Sequence, residues 1–488
     1  MAYLALDLGA GSGRAIAGTI RNGIIYLEEI HRFSTPPVKL DGTIYWNFLS
    51  LHAEIKESLR LAVKKGITLD GIAVDTWGVD FGLLDRNGRL IANPVCYRDS
   101  RTEGMPARIE EDIPRPKLYS ITGIQEIGFN TLYQIYSLKL VGDISLSVAD
   151  RLLFIPDLVN YFLTGTAVNE YTIASTSQFL DARTREWSEE VFDRLELPLG
   201  AMGKIVQPGT LIGNLKAEIS EETGAGDVKV FAAGSHDTAS AIAALPAAGP
   251  DCAFVSSGTW SLFGLQIDEP ILTEKARLND FTNEGGCNGK ILFMRNITGL
   301  WLLQRLIADW EKDEGYVCDY KELLTQCDGC EPFRSIVNND DPAFTFPVSM
   351  VKAMQEYCAR TNQPVPESKG QLVRCALESL ALKYHFTMKS LNNCCGREIK
   401  KLHVAGGGGK NDLLNQYTAN ALGIEVITGL AEATAIGNIM AQAIADKQIT
   451  DWNEAHAIIE NSFEFTTYQP QNTTEWEAAA EKFAHLFT

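Results

Sequence analysis

The segment that ends in Asp237 contains the residue types that phosphoryl transfer to an alcohol requires. It reads Val230-Phe-Ala-Ala-Gly-Ser-His-Asp-Thr238 and continues into a run of small residues typical of a buried helix. A carboxylate at such a strand-to-helix junction can accept the proton of a hydroxyl whose oxygen attacks a phosphate. An aspartate beside a helix start can equally be a capping residue. The segment alone therefore leaves Asp237 either a general base or an N-cap.

Two glycine-rich turns have the composition of phosphate-binding loops. The first joins two apolar runs through Asp7-Leu-Gly-Ala-Gly-Ser-Gly-Arg14, and a third run follows from Ile24. This order predicts an antiparallel meander, which excludes the strand-to-helix dinucleotide fingerprint, and no P-loop motif occurs. The second turn, Ser257-Gly-Thr259, also lies between two apolar runs. Successive backbone N–H groups in such turns can hold phosphate oxygens.

A third glycine-rich segment differs because it follows a strand and precedes a helix. Lys401 to Ala405 is apolar, Gly406 to Gly409 are four consecutive glycines, and Leu413 to Leu422 has helical periodicity. Four glycines are more than a turn requires and allow a flat ligand or phosphate to approach the backbone near a helix start. We therefore expect a ligand here rather than a simple turn.

Two acidic positions have roles that depend on these loops. Asp7 ends the first predicted strand, and a carboxylate next to phosphate calls for a cation between them, for which Mg²⁺ held largely through water is the natural candidate. The segment Asp75-Thr-Trp-Gly-Val-Asp-Phe81 could bind sugar hydroxyls and stack a ring. It could equally be an edge strand that runs into a turn.

Helical and strand patterns alternate along the chain, which is typical of an α/β fold. Helices are predicted from Leu51 to Lys65 and from Trp301 to Lys312, and a strand from Gly71 to Asp75. The Pro- and Gly-rich stretch 245–250 is the best candidate boundary. We predict two lobes with a central cleft, 1–245 and 246–488, related by an ancient duplication.

The composition excludes several classes of partner. The net charge of −19 disfavours binding to nucleic acid or to anionic lipid, and no segment of the chain is apolar enough to span a bilayer. The N-terminus has no basic region, so a cytoplasmic location is expected. The sequence does not settle the oligomeric state, and a monomer is the favoured expectation. The ten cysteines are scattered, and reduced thiols are a simpler interpretation than a zinc site or a disulfide.

Four of these motifs together resemble the FGGY carbohydrate kinases: the first hairpin, the 75–81 segment, Ser235-His-Asp-Thr238 and Ser256-Ser-Gly-Thr-Trp260. The resemblance extends to about Asn438 and implies a duplicated actin/hexokinase-like (ribonuclease H-like) fold whose N-terminal lobe binds sugar and phosphate and whose C-terminal lobe binds nucleotide. It implies transfer of the γ-phosphate of ATP, with Mg²⁺, to the 1-hydroxyl of a small ketose. Within the family the motifs are most similar to those of members that act on L-rhamnulose.

The resemblance also implies roles for individual residues. The ATP phosphates would be lined by Ala10, Gly11, Ser12, Gly13 and Arg14 on one side and met by Thr259 on the other. Gln304 and Gly407 would contact the nucleotide. The sugar would contact Gly78, His236, Asp237, Thr238 and Asn296, with Asp237 as the proton acceptor and Asp7 on the metal. Asn296 and Gln304 are expected on one helix, about 12 Å apart.

The hairpin departs from the family pattern at Gly11, where a serine is usual, so a changed nucleotide affinity is expected. Three other functions remain open. A kinase for another ketose, such as L-fuculose or xylulose, would share all of these motifs. A chaperone-like ATPase would share the fold, and its ATP turnover would respond to unfolded peptides. A sugar-binding regulator would need a DNA-binding segment, and no basic arm is apparent.

Overall fold

A computed structural model describes residues 1–246, 249–345 and 347–487. Ala247 and Ala248, inside the predicted boundary stretch, lie outside the described residues. The strands are β1 (Ala2–Leu8), β2 (Ser12–Arg21), β3 (Ile24–Ser34), β4 (Val38–Leu40), β5 (Thr43–Tyr45), β6 (Gly71–Thr76), β7 (Phe81–Leu84), β8 (Arg151–Phe154), β9 (Asn169–Glu170), β10 (Ile205–Val206), β11 (Leu211–Asn214), β12 (Lys229–Phe231), β13 (Cys252–Ser257), β14 (Trp260–Ile267), β15 (Thr282–Gly285), β16 (Ile291–Thr298), β17 (Lys401–Ala405), β18 (Glu425–Leu430) and β19 (Thr466–Tyr468).

The helices are α1 (Phe48–Lys64), α2 (Met105–Asp112), α3 (Arg115–Thr122), α4 (Thr131–Val141), α5 (Ile144–Val148), α6 (Ile155–Thr164), α7 (Tyr171–Ser175), α8 (Glu189–Arg194), α9 (Ala217–Thr223), α10 (Asp237–Ala243), α11 (Glu274–Leu278), α12 (Trp301–Glu314), α13 (Tyr320–Asp328), α14 (Met350–Arg360), α15 (Lys369–Cys395), α16 (Asp412–Leu422), α17 (Ala433–Ala445), α18 (Trp452–Ser462) and α19 (Thr473–Phe483). The helices predicted from Leu51 and from Trp301 are confirmed as α1 and α12. Among the described residues, none of the helices combines the length and apolar content needed to cross a membrane.

The chain divides into two compact units that exchange segments along the sequence. The first unit comprises Met1–Ala247, Gln266–Phe293 and Glu432–Phe463, and the second comprises Ala248–Leu265, Met294–Ala431 and Glu464–Thr488. Two segments from the second half of the sequence therefore belong to the first unit. The boundary at 245/246 stays a prediction.

The first unit is built on a six-stranded sheet in the order β11-β12-β6-β1-β2-β3. The predicted meander is confirmed, because β1 pairs antiparallel with β2, and β2 pairs antiparallel with β3. Strands β6 and β12 join the other side of β1 in parallel. All seven residues of β1 are buried, as expected for a central strand covered on both faces.

Amphipathic helices cover this sheet. Helix α1 starts at the side chain of Asn47, which accepts a hydrogen bond from the amide of Ser50, and it buries Leu51, Ile55 and Leu59. These side chains join one apolar core with β1, β6 and α6. On helix α17, an added Cβ at Gly437 would lie 1.9 Å from the carbonyl oxygen of Ser240, so only glycine allows α10 and α17 to pack this closely.

A second apolar core in the first unit lies around the β7–β8 ribbon. Helices α2, α3, α4, α7 and α8 contribute to it, with Phe154 and Phe179 fully buried.

The sheet of the second unit runs in the order β16-β14-β13-β17-β18-β19. The long helix α15 begins there with a capping box formed by Ser368 and Gln371. The ten cysteines are all free thiols.

Candidate functional site

Asp237 lies where two parallel strands of the first unit end side by side. The amide of Thr76, at the end of β6, donates a 2.8 Å hydrogen bond to the carbonyl of Ser235, just after β12. His236 is the N-cap residue and α10 begins at Asp237. Asp237 is therefore not the N-cap, and that alternative is wrong. Its side chain keeps 34% of its surface exposed and accepts a 3.2 Å hydrogen bond from Oγ1 of Thr238.

The imidazole of His236 lies between two carboxylates. Its Nδ1 is 3.2 Å from Oε2 of Glu284, and its Nε2 is 3.5 Å from Oδ1 of Asp237. Among the described residues, neither Nδ1 of His236 nor Oε2 of Glu284 has a partner with hydrogen-bond geometry, so their contact is an ion-pair distance only. Burial is the largest single influence and works against protonation of His236, but Glu284, Asp237 and Glu170 together outweigh it, so the pKa of His236 is raised above its ordinary value.

The carboxylate of Glu170 fixes the backbone of the segment that leads into His236 and Asp237. It is fully buried, and its carboxylate accepts hydrogen bonds from the amides of Thr172, Ile173 and Ser235 and from the hydroxyl of Thr172. Burial raises the pKa of Glu170 to about 7, and the donated hydrogen bonds oppose that rise. Oγ1 of Thr172 also accepts a hydrogen bond of 3.1 Å from the amide of His236. The position of the His236-Asp237 pair is thus fixed by a buried polar network.

Three aspartates of the first unit influence one another. Asp7 on β1 is 6% exposed, and burial raises its pKa to about 6; Arg14 opposes this rise, while the charge of Asp237 adds to it. Asp75 on β6 is fully buried, and burial and the charge of Asp7 raise its pKa well above the ordinary value. One of its oxygens, Oδ1, has no hydrogen-bond partner in the part of the chain that the structure describes. The surplus of negative charge favours a cation at this place.

Arg14 already supplies part of that positive charge. It is the cross-strand partner of Asp7 in the β1–β2 hairpin and forms ion pairs with Asp7 and with Glu432. Within the described ranges, three or more His, Cys, Asp or Glu side chains nowhere form a group that could hold a metal ion. Asp7 as the protein group beside a Mg²⁺ ion stays a prediction; such an ion would take most of its ligands from water and phosphate.

The turn of the first hairpin has an open backbone. Gly9 donates to the carbonyl of Ser12 at 2.9 Å and closes the turn, while Gly11 and Ser12 are exposed and Ala10 is half-buried. A Cβ added at Gly11 would meet nothing within 4 Å. At Gly13 it would lie 2.4 Å from the ring of Phe33, so Gly13 allows close packing.

The segment 75–81 combines a buried strand with a strained turn. Strand β6 lies between β12 and β1, so the edge-strand alternative is wrong. Asp80 is buried and accepts hydrogen bonds from Trp46, Trp77, Gln134 and the amide of Tyr97, which leaves it a structural role. Val79 has φ 67°, a left-handed conformation that costs a β-branched residue energy.

Gly78 precedes the strained residue and is only half-buried. A Cβ at Gly78 would lie 3.2 Å from Oγ1 of Thr176, which accepts a hydrogen bond from the amide of Val79. Its predicted contact with the sugar stays a prediction.

In the second unit, Thr259 contacts Gln304, and the glycine-rich turn that contains Gly407 packs against Ser257, two residues before Thr259. Oγ1 of Thr259 donates a 2.9 Å hydrogen bond to Oε1 of Gln304, and both of these side chains are exposed. The carbonyl of Gly258 accepts a hydrogen bond from the amide of Leu300, which closes the turn. Gly407–Lys410 form a 3₁₀ turn next to Ser257, with Gly406 as its N-cap, and a Cβ at Gly408 would lie 2.0 Å from Oγ of Ser257. A Cβ at Gly407 would meet nothing within 4 Å, so its backbone is open to a ligand.

Asn296 is half-buried on strand β16, which ends at Thr298, and Gln304 lies on α12, which begins at Trp301. The expected single helix carrying both residues is wrong. Helix α16 begins at Asp412, with Asn411 as its cap, which agrees with the helical periodicity from Leu413 to Leu422. Asn296 belongs to the second unit and the other predicted sugar contacts to the first.

Four polar residues of this region were not singled out from the sequence: Glu170, Glu284, Glu432 and Asn438. Glu284 lies in the segment Thr282-Asn-Glu-Gly-Gly286, whose sequence pattern alone indicates no chemistry. Glu432 and Asn438 meet Arg14 and Asp75 far away in sequence, so their signal is tertiary. Glu170 caps α7 locally, but only the fold brings it to the amide of Ser235.

Comparison with known proteins assigns both halves of the chain. Residues 2–244 match the N-terminal domain model of the FGGY family of carbohydrate kinases, and residues 253–445 match its C-terminal domain model. The chain is 45% identical over 477 residues to a protein named rhamnulokinase from Bacteroides thetaiotaomicron, covering 98% of this chain and 97% of that protein. A rhamnulokinase from Oceanobacillus iheyensis is 39% identical, covering 95% and 97%.

Solved structures share the fold at low sequence identity. A ligand-bound xylulose kinase from Lactobacillus acidophilus superposes with a TM-score of 0.79 at 17% identity, covering 100% of this chain and 96% of that one. Glycerol kinase from Plasmodium falciparum with ADP gives 0.78 at 15% identity, covering 99% and 98%. With two α/β sheets and two domain models in order, the chain has the two-domain actin/hexokinase-like fold and belongs to the FGGY family of carbohydrate kinases.

Proposed function

We propose that this chain is an ATP-dependent kinase that phosphorylates L-rhamnulose at its 1-hydroxyl and releases ADP. Its support is the identity of 37–45% to proteins named rhamnulokinase, over almost the whole chain. The structural observation that carries the chemistry is the partly exposed carboxylate of Asp237, fixed at the start of α10 between His236 and Thr238.

The proposed reaction needs one proton acceptor and stabilisation of charge on the transferred phosphoryl group. Asp237 accepts the proton of the O1 hydroxyl as O1 bonds to the γ-phosphorus and the bond to the ADP oxygen breaks. His236, Thr238 and Gly78 are proposed to orient the ketose in the first unit. Asn296 is proposed as a further sugar contact.

The nucleotide is assigned to groups in both units. We propose that the open turn Ala10–Arg14 and Thr259 bind the phosphates of ATP, and that Gln304 and Gly407 contact the rest of the nucleotide. The hydrogen bond between Thr259 and Gln304 and the open backbone at Gly407 support this assignment. Backbone amides suit it because they bind phosphate without adding charge to an acidic protein.

Mg²⁺ is proposed as the cofactor, with Asp7 as the protein group beside it. The raised pKa of Asp7 and the uncompensated carboxylate of Asp75 support a cation here. Mg²⁺ supplies positive charge to the phosphates when bound.

We further propose that the protein is a cytoplasmic monomer. Size-exclusion chromatography with light scattering tests the oligomeric state.

The deciding experiment measures ADP production in a coupled assay with ATP and a panel of ketoses. We expect turnover that depends on L-rhamnulose, with a kcat/KM at least tenfold above those for L-fuculose and xylulose. A higher kcat/KM for either of these would support the alternative of a kinase for another ketose. No ketose-dependent ADP production at all would contradict the proposal.

A further inference from the structure

The carboxylate of Glu284 lies close to the His236-Asp237 pair and has no role in the reaction proposed above. It is 7% exposed, Oε2 lies 3.2 Å from Nδ1 of His236, and that oxygen has no hydrogen-bond partner in the described residues. Leaving a buried carboxylate oxygen without hydrogen bonds is costly unless a charge compensates it. Among the described residues, the ring of His236 is the only basic group that forms an ion pair with this carboxylate.

Glu284 is held rigidly although it comes from the second half of the sequence. The amide of the next residue, Gly285, donates a 2.7 Å hydrogen bond to Oγ of Ser175. Nδ2 of the preceding residue, Asn283, donates to the carbonyl of Gly123 at 3.0 Å. A Cβ at Gly285 would lie 2.6 Å from the ring of Tyr171. The strand therefore has no freedom to move Glu284 away from His236.

The protonation of His236 follows from its neighbours. A carboxylate only accepts hydrogen bonds, so Glu284 requires a proton on Nδ1 of the ring. The opposite nitrogen, Nε2, faces Oδ1 of Asp237 at 3.5 Å, and a lone pair there would oppose a second negative oxygen. The charged groups that face this ring are Glu284, Asp237 and Glu170, all acidic. Protons on both nitrogens satisfy the two flanking carboxylates at once.

We propose that Glu284 is a positioning residue for phosphoryl transfer, holding His236 as an imidazolium whose Nε2 lies 3.5 Å from Oδ1 of Asp237. The role rests on the proposed function, because Asp237 is its base. Through His236, Glu284 fixes which oxygen of Asp237 faces the acceptor hydroxyl.

The protonation of His236 can be measured without any substrate. NMR of protein labelled at histidine reports the protonation of the ring as the pH changes. The signal that is missing from His236→Asn identifies His236. In the wild type we expect a pKa above the ordinary histidine value of about 6.5, and in Glu284→Gln a fall of about one unit or more. A wild-type value at or below the ordinary one, or no change in Glu284→Gln, overturns the proposal whether or not the enzyme acts on L-rhamnulose.

Kinetics then separate a positioning role from a merely structural one. In Glu284→Gln we expect kcat to fall about tenfold or more, with a smaller change in KM for ATP. The loss of activity at high pH, which follows deprotonation of His236, should move to lower pH. Glu284→Asp keeps the charge and should recover part of kcat. The matched control is Glu274→Gln, on the exposed helix α11 of the same segment.

The outcomes distinguish the two proposals. A wild-type enzyme that phosphorylates no ketose contradicts the proposed function, while the NMR result still decides the state of His236. An active wild type with Glu284→Gln equal to Glu274→Gln in kcat and in pH profile overturns the role of Glu284. If Glu284→Gln does not fold, as judged by thermal unfolding, the wild-type titration and Glu284→Asp decide, and a wild-type pKa that is not raised overturns it.

Discussion

Nδ2 of Asn438, on α17, donates a 2.6 Å hydrogen bond to Oδ2 of Asp75, on β6, and both residues are fully buried. Gln442, one turn further along α17, donates to Oδ1 of Asn438 at 2.7 Å and to the carbonyl of Leu4 at 3.1 Å. The helix from the second half of the sequence is thus joined to the central strands of the first unit by a chain of side-chain hydrogen bonds.

Replacement of Asn438 by alanine tests this chain. Asp75 would lose the only hydrogen bond recorded for its carboxylate among the described residues, and Gln442 would lose an acceptor. We expect the free energy of unfolding, measured with urea, to fall by about 1–3 kcal/mol. Asn461→Ala, at an exposed position on the neighbouring helix α18, is the matched control and should change it by less than about 0.5 kcal/mol. Equal effects of the two replacements would contradict the buried link.

Asp237→Asn tests the proposed base. An amide cannot accept the proton of the acceptor hydroxyl, so we expect kcat to fall about 10²- to 10⁴-fold. The fold should survive because His236, not Asp237, is the N-cap of α10. Thermal unfolding checks that point, and Asp193→Asn, an exposed residue on α8, is the control. Near-normal turnover in Asp237→Asn would show that another group accepts the proton.

The sequence predicts most of the framework of this site and misses its supporting contacts. The meander and the strand-to-helix junction at Asp237 follow from local patterns, because apolar runs and glycine turns are local signals. Whether Asp237 caps the helix depends on where the helix starts, which differs by one residue between the two alternatives. Such boundaries are poorly determined by sequence patterns.

Other misses have tertiary causes. Asp80 has the sequence context of a sugar ligand, but donors from Trp46 and Gln134, far away in sequence, occupy its carboxylate. The helix expected across Asn296 fails because the β-branched residues Ile297 and Thr298 continue strand β16. Glu284 gives no local signal, since only the fold brings β15 against His236.

Replacement of Gly13 and of Gly11 in the first hairpin should have different effects on the free energy of unfolding. Gly13→Ala places a methyl group 2.4 Å from the buried ring of Phe33, so we expect a loss of about 1–3 kcal/mol in the free energy of unfolding. Gly11→Ser meets open space and should alter stability by less than about 0.5 kcal/mol. Because Gly11 is a proposed phosphate contact, the KM for ATP should change in Gly11→Ser. Urea unfolding and initial rates measure both, and a strongly destabilised Gly11→Ser would contradict the open turn.

His403 should make the protein less stable in mild acid. It is 5% exposed on β17, and burial, with Lys401 nearby, lowers its pKa to about 4. In the unfolded chain the pKa is about 6.5, so between these values the unfolded state binds the proton and the folded state does not. The neutral ring therefore contributes stability above pH 6.5, and this contribution is lost as the pH falls towards 4. The full loss is about 3 kcal/mol.

Replacement of His403 by asparagine removes the titrating group. The variant is expected to be less stable than the wild type at pH 7.5, since the ring is packed in the sheet, but the difference should shrink as the pH falls to 5. Urea unfolding at both pH values measures it, and His485→Asn, an exposed histidine, is the control for general pH effects. A difference between wild type and His403→Asn that stays constant from pH 7.5 to 5 would show that His403 does not change its protonation on unfolding in this range.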